Sequence, residues 1–166
     1  MAKEQYNDVR TEFEDITKHS DLQRGDHLAV SGNRICVKYF HHGIFLGDEK
    51  GVADFGGTGK RDATLKIVNI HTFTNNGKRR LIRIKYAEGC CLHPEKAALN
   101  AEELVADPTK WGNYHLLTNN CEHFATKCKT GLAVSEQVIE NIRNGLNSPI
   151  KCCILNTCIS SCGCMS

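Results

Sequence analysis

The stretch LLTNNCEHFATKCKTG, residues 116–131, puts a cysteine at the start of a helical pattern. Asn119 suits an N-cap, and Glu122 three residues later completes a capping-box pattern. Cys121 then falls in the first turn, where unpaired backbone N–H groups and the helix dipole favour a thiolate. This is a setting for a nucleophile. Cys128, two turns on and on the face of Cys121 and Ala125, reads instead as a small buried hydrophobe.

A nucleophilic thiol needs a base, and the base needs an orienting group. Of the eight histidines, His19, His27, His71, His93 and His115 stand singly and read as surface or satisfied structural residues. His123 follows Cys121 too closely to face it from the same turn. His41 and His42 sit in a strand-like run, where alternation sends them to opposite faces. His42 shares the more apolar face with Phe40, Ile44 and Leu46, the side a helix covers, and is the expected base. Asp54 is the expected third group. If the turn at Asp48–Lys50 has three residues, Ile44 faces Asp54 and His42 is its diagonal neighbour. If the turn is centred on Asp48, His42 and Asp54 pair directly. Both registers put the two on one face within roughly 5–8 Å, whereas a loop of even length separates them. An aspartate beside the imidazole fixes its tautomer and favours its protonated form.

The elements that must position these groups divide the chain into a polar leader (1–20), a catalytic domain (21–147) and a cysteine-rich tail (148–166). The leader carries a short helical turn around Asp8 to Thr17. GDHLAVSG and ICVKYFHHGIFLG, from Gly25 onward, are strand-like, and VADFGG follows the GDEKG turn as a third strand. TLKIVNIHTF, the turn TNNGK and RRLIRIKY form an expected hairpin about Asn-Gly. Pro94 opens a helix with Ala97, Ala98, Ala101, Leu104 and Val105 at helical spacing, ended by Pro108 and Gly112. Another helix is expected over Ser135 to Leu146. Strands first and helices later predict an α+β domain with a small antiparallel sheet packed against the nucleophile-bearing helix.

The chain's 166 residues suit one core, and 40% hydrophobic with 24% charged residues is ordinary usage. A net charge of +2, from 21 basic and 19 acidic residues, gives no argument for a nucleic-acid partner. Gly77-Lys78-Arg79-Arg80 reads as a solvated hairpin tip, with a nucleic-acid or phosphate patch as the lesser reading. Met1 to Arg10 has no apolar signal region, Ala2 excludes N-myristoylation, and no apolar run is long enough to span a bilayer. Five of ten cysteines, Cys152, Cys153, Cys158, Cys162 and Cys164, fall in the tail near Ile150, Ile154, Leu155 and Ile159. S-acylation there is the favoured reading, with two or more chains needed for stable anchoring. A zinc site from Cys90, Cys91, His93, Cys121 and His123 fits none of the usual paired spacings.

GDHLAV, HHGIFLGDEKGVADF and NNCEHFATKCKTG, in that order, resemble the lecithin:retinol acyltransferase domain family, which includes phospholipase/acyltransferases and NC-domain proteins. The likeness covers about residues 22–140. It implies a permuted form of the NlpC-like papain fold, in which Cys121 attacks an ester to form a thioester-linked acyl-enzyme and His42 activates it. It implies no metal or organic cofactor. Where many relatives have a second histidine, this chain has Val52-Ala53-Asp54-Phe55. A carboxylate can do the orienting job and holds the histidine more strongly cationic.

The expected function is a thiol-dependent acyltransferase or phospholipase A-type hydrolase. Its substrate is a phospholipid or other acyl lipid, and the protein is cytoplasmic and peripheral on a membrane surface through its tail. The alternative is a catalytically weak or inactive interaction module of the same family. Cys-His chemistry on an amide is a third reading.

Overall fold

The computed structural model describes residues 10–34, 37–57 and 62–136. The tail cysteines, and most of the helix expected over Ser135 to Leu146, lie outside these residues. Six antiparallel strands form one open sheet: β1 (Arg10–Asp15), β2 (His27–Arg34), β3 (Val37–Phe45), β4 (Val52–Gly56), β5 (Thr64–Val68) and β6 (Leu81–Tyr86), in the order β1-β6-β2-β3-β4-β5. Among the described residues three α-helices accompany it: α1 (Ile70–Phe73), α2 (Pro94–Ala106) and α3 (Cys121–Thr130). The α+β class with a small antiparallel sheet is therefore as expected.

The sheet is covered on both sides. On one face Ile44, Leu46, Ala53, Phe55 and Leu65 pack against Ala98 and Ala101 of α2 and Cys121, Phe124, Ala125 and Cys128 of α3. On the other, Leu28, Val30, Phe45, Val52 and Leu81 pack with Phe73 of α1. All five residues of β4 are consequently buried, so the polar/apolar alternation of a half-covered strand is absent. Apolar burial on both faces is the main stabilising term.

Two local expectations are corrected. Residues 10–15 of the polar leader form a strand, not a helical turn. Glu12 and Glu14 lie opposite Lys85 and Arg83 of β6, with ion pairs Lys85–Glu12 at 3.3 Å and Arg83–Glu14 at 3.3 Å. A charged edge strand suits solvent on its outer side. The second correction is that β5 and β6 do not form a hairpin. β5 pairs with β4, whereas β6 pairs with β1 and β2. Asn69 caps α1 by accepting from the His71 N–H, and Asn75, Asn76 and Gly77 all take left-handed φ angles of 52°, 54° and 76°. Burial of Phe73 draws this segment over the sheet face, so Asn-Gly turns the chain without closing a ladder.

Helix α2 is tied to the β3–β4 end by charge. Arg24 donates to Glu95, to Glu102 and to the Leu46 carbonyl, and Lys50 also donates to Glu102. Hydrogen bonds from Arg24 and then Lys50 hold the Glu102 carboxyl down to about 2. That contribution is present above the ordinary glutamate value and is lost as pH falls through the lowered one. Among the described residues no helix is long and apolar enough to cross a membrane.

Gly25 is where β2, α2 and α3 meet. Its φ is +88°, an added Cβ would lie 2.0 Å from the Pro94 carbonyl oxygen, and its own carbonyl accepts from Lys129 Nζ at 2.9 Å. Gly25→Ala is expected to cost at least about 2 kcal/mol, from the left-handed backbone plus displacement of the α2 start. Urea unfolding of the variant beside wild type checks this.

Candidate active site

Helix α3 begins one residue later than expected. Its N-cap is Asn120, whose Oδ1 accepts from the N–H groups of Glu122 (2.9 Å) and His123 (3.1 Å). His123 closes the capping box, its Nδ1 accepting from the Asn120 N–H at 3.3 Å. That acceptor role requires a neutral ring, and burial accordingly pushes the His123 pKa down. Asn119 instead braces the preceding loop, donating through Nδ2 to the carbonyls of Trp111 and Asn113. Cys121 is thus the first residue of the helix and is buried. Glu122, freed from capping, is buried too. Its carboxylate accepts from Ser135 Oγ at 2.5 Å and the Glu136 N–H at 3.2 Å, pinning the segment after α3.

The β3–β4 ladder pairs Gly43 with Asp54, Ile44 with Ala53 and Phe45 with Val52. Leu46 N–H donates to the Gly51 carbonyl and Gly51 N–H to that of Gly47, leaving a four-residue loop, Gly47 to Lys50. An even loop reverses the expected parity. Asp54 therefore shares a face with Gly43 and, two residues away, with His41. The expected neighbour, His42, points to the opposite face. There it is buried, its Nδ1 2.9 Å from His27 Nε2, and His27 Nδ1 lies 2.7 Å from Tyr86 Oη.

His41 occupies the end of the ladder. Its Nε2 lies 2.5 Å from Asp54 Oδ1, and its ring centroid is 5.6 Å from that of Phe73. A side chain at Gly56 would begin 3.0 Å from His41 Cε1 and 3.1 Å from Asp54 Oδ1. Glycine there leaves the ring its space. The Cys121 sulfur is close enough to the same ring to act on its charge. His41 therefore pairs with Asp54, packs near Phe73 and lies beside the Cys121 sulfur.

Burial alone disfavours an imidazolium here. The charge of the Cys121 sulfur, hydrogen bonds to Asp54 and Cys121, and the Asp54 charge outweigh it, and together raise the His41 pKa well above its ordinary value. Cys128, by contrast, is buried without such a partner, and desolvation pushes its thiol up. The arrangement can hold a proton between a thiol and an imidazole while a carboxylate fixes the ring. Among the described residues no three His, Cys, Asp or Glu side chains are grouped to hold a metal ion. Adjacent histidines were indistinguishable by residue type, and only the loop's length could have separated them.

A raised folded pKa means that protonated His41 stabilises the fold. This contribution is complete below about pH 6.5 and fades as pH rises through the raised value. Asp54→Asn removes one of the charges responsible and is expected to lower the His41 midpoint. His42→Gln should leave it in place. An NMR titration of the His41 ring protons in the three proteins measures both effects.

The model of the Lecithin retinol acyltransferase family matches residues 20–134, more than two thirds of the chain, and takes in His41, Asp54 and Cys121. No curated protein sequence matches the chain. Acyltransferase- or phospholipase-like activity is the general character of that family. On this match the chain belongs to the lecithin retinol acyltransferase family.

Proposed function

We propose that the protein is a cysteine-dependent acyltransferase or phospholipase A-type hydrolase acting through a Cys121 thioester, with His41 as base and Asp54 as its orienting group. The observation that carries this reading is the His41 ring held between the Cys121 sulfur and the Asp54 carboxylate. His42 was the expected base; its Nδ1 lies 2.9 Å from His27 Nε2, and Asp54 pairs with His41 instead.

With Nε2–H donating to Asp54, Nδ1 is the ring nitrogen left to take the thiol proton. The Cys121 thiolate attacks the ester carbonyl carbon, and the carbonyl π electrons move onto oxygen. The Cys121 backbone N–H, at the first helical position and uncommitted to any described residue, is the nearest fixed donor for that oxyanion. Collapse expels the alkoxide, which takes the proton from the His41 imidazolium. Water, an amine or an alcohol then attacks the thioester, giving its proton to His41, and the proton returns to sulfur as the acyl group leaves. The cycle balances without an oxidant or a metal.

The helix-on-sheet arrangement, with the nucleophile opening the helix and the base on the adjoining strand, supports a permuted NlpC-like papain scheme. Phospholipid-type esters are the proposed substrates, and S-acylation of Cys152, Cys153, Cys158, Cys162 or Cys164 the proposed membrane attachment.

Brief incubation with a short-chain phosphatidylcholine should add an acyl-sized mass to Cys121 in the wild type and none to Cys121→Ala. His41→Gln should lower the rate of adduct formation by at least about a hundredfold, whereas His42→Gln should stay within about tenfold of wild type if it remains folded. Intact-protein mass spectrometry reads all four samples. An adduct that persists in Cys121→Ala, or its absence in wild type from acid to alkaline pH, overturns the reading.

A further inference from the structure

His41 also lines a small cleft that no residue of α3 borders. It is lined by Tyr39, Asp54, Gly56, Lys66, Phe73 and Arg79 among others, with a volume of about 160 Å³. That is below the roughly 300–1,000 Å³ typical of drug-sized ligand sites, so it suits one small group and not an acyl chain. Its two cations differ from most others among the described residues. Arg24, Lys50, Arg80, Arg83, Lys85 and Lys110 are each paired with carboxylates. Lys129 donates to the Gly25 carbonyl. Lys66 and Arg79 are half-buried, yet among the described residues neither side chain has a hydrogen-bond or ion-pair partner.

Their position matters as much as their charge. Lys66 lies directly across the β4–β5 ladder from Asp54, but Asp54 Oδ1 is committed to His41. Arg79 follows the α1 turn, and its backbone N–H donates to the Thr74 carbonyl. The Lys78-Arg79-Arg80 run is therefore no hairpin tip. Arg80 turns to Asp15 on the sheet edge, and Arg79 lines the cleft. Partly desolvated cations without acceptors are costly, and an anion entering between them recovers that cost. A guanidinium and an ammonium together suit a phosphate-type oxyanion, the former through its fork of donors and the latter as a point charge.

We infer that Lys66 and Arg79 form a subsite for a phosphate-type oxyanion, the headgroup phosphate of the acyl donor, seated beside His41 while the ester carbonyl reaches Cys121. Its role in substrate choice rests on the proposed acyl transfer; its binding of the anion does not. The subsite makes the enzyme selective for esters that carry a phosphate close to the acyl group.

The first test titrates the isotopically labelled full chain, as Cys121→Ala, with glycerophosphocholine and separately with inorganic phosphate, following amide shifts by NMR. Shifts at residues 56, 66 and 79 are expected with glycerophosphocholine. Its dissociation constant should rise at least fivefold when Lys66→Gln and Arg79→Gln are combined, and Lys66→Arg should retain binding. Weaker binding of inorganic phosphate at the same amides supports the headgroup, whereas equal or tighter binding makes free phosphate the occupant and overturns that assignment. No shift at these amides, or equal affinity in a double variant with an otherwise native spectrum, overturns the subsite. The second test compares kcat/KM for dihexanoyl phosphatidylcholine with that for p-nitrophenyl butyrate. The ratio should fall at least tenfold in the double variant, and an unchanged ratio overturns the selectivity. If wild type cleaves neither ester, the acyl-transfer reading fails while the binding titration still decides the subsite.

Discussion

The length of one loop governs the candidate site. Four residues, Gly47 to Lys50, join β3 to β4 and set Gly43 opposite Asp54. Because side chains alternate along a strand, that pairing puts the carboxylate on the side of His41. One residue more or fewer would turn Asp54 away from His41. The ladder also ends at this pair, and the ring of His41 fills the adjoining space against Gly56. Imidazole and carboxylate meet where the backbone pairing stops.

The rest of the molecule holds this end of the sheet rigid. Helix α3 buries Cys121, Phe124, Ala125 and Cys128 against β3 and β4, so its first residue is fixed by the packing of the following two turns. Asn120 and His123 satisfy the N–H groups around it, and Glu122 anchors the chain that follows. On the far side Phe73 backs the His41 ring, and Arg24 clamps α2 to the end of β3 through Glu102 and Leu46. A reacting group so framed needs little reorganisation before it acts.

Much of the fold is legible locally. The helix at Pro94, the strands around residues 27–34, 37–45 and 52–56, and the helix carrying Cys121 follow from periodicity, proline placement and capping residues. The failures share a cause. The leader's charges look helical or unstructured until Lys85 and Arg83 stand opposite them, and the Asn-Gly turn looks like a hairpin until Phe73 is buried over the sheet. Glu122 fits a capping box by spacing, yet His123 takes that place because the cap lies at Asn120. In each case a partner distant in sequence overrides a sound local preference.

By itself the sequence determined the chemistry available: a cysteine opening a helix, a histidine pair on a strand, an aspartate on the next strand, and enough motif to identify the family. These are local properties, set by residue type and by spacing within one element. The tertiary structure decided which histidine pairs with Asp54, since His41 and His42 differ in the face they present. That face depends on strand register, on the parity of a loop whose ends are set by pairing, and on where the ladder terminates. It also decided that Lys66 and Arg79, thirteen residues apart, border the same cleft as His41. No spacing rule joins them, because β5, α1 and the turn after it converge only once Phe73 is buried.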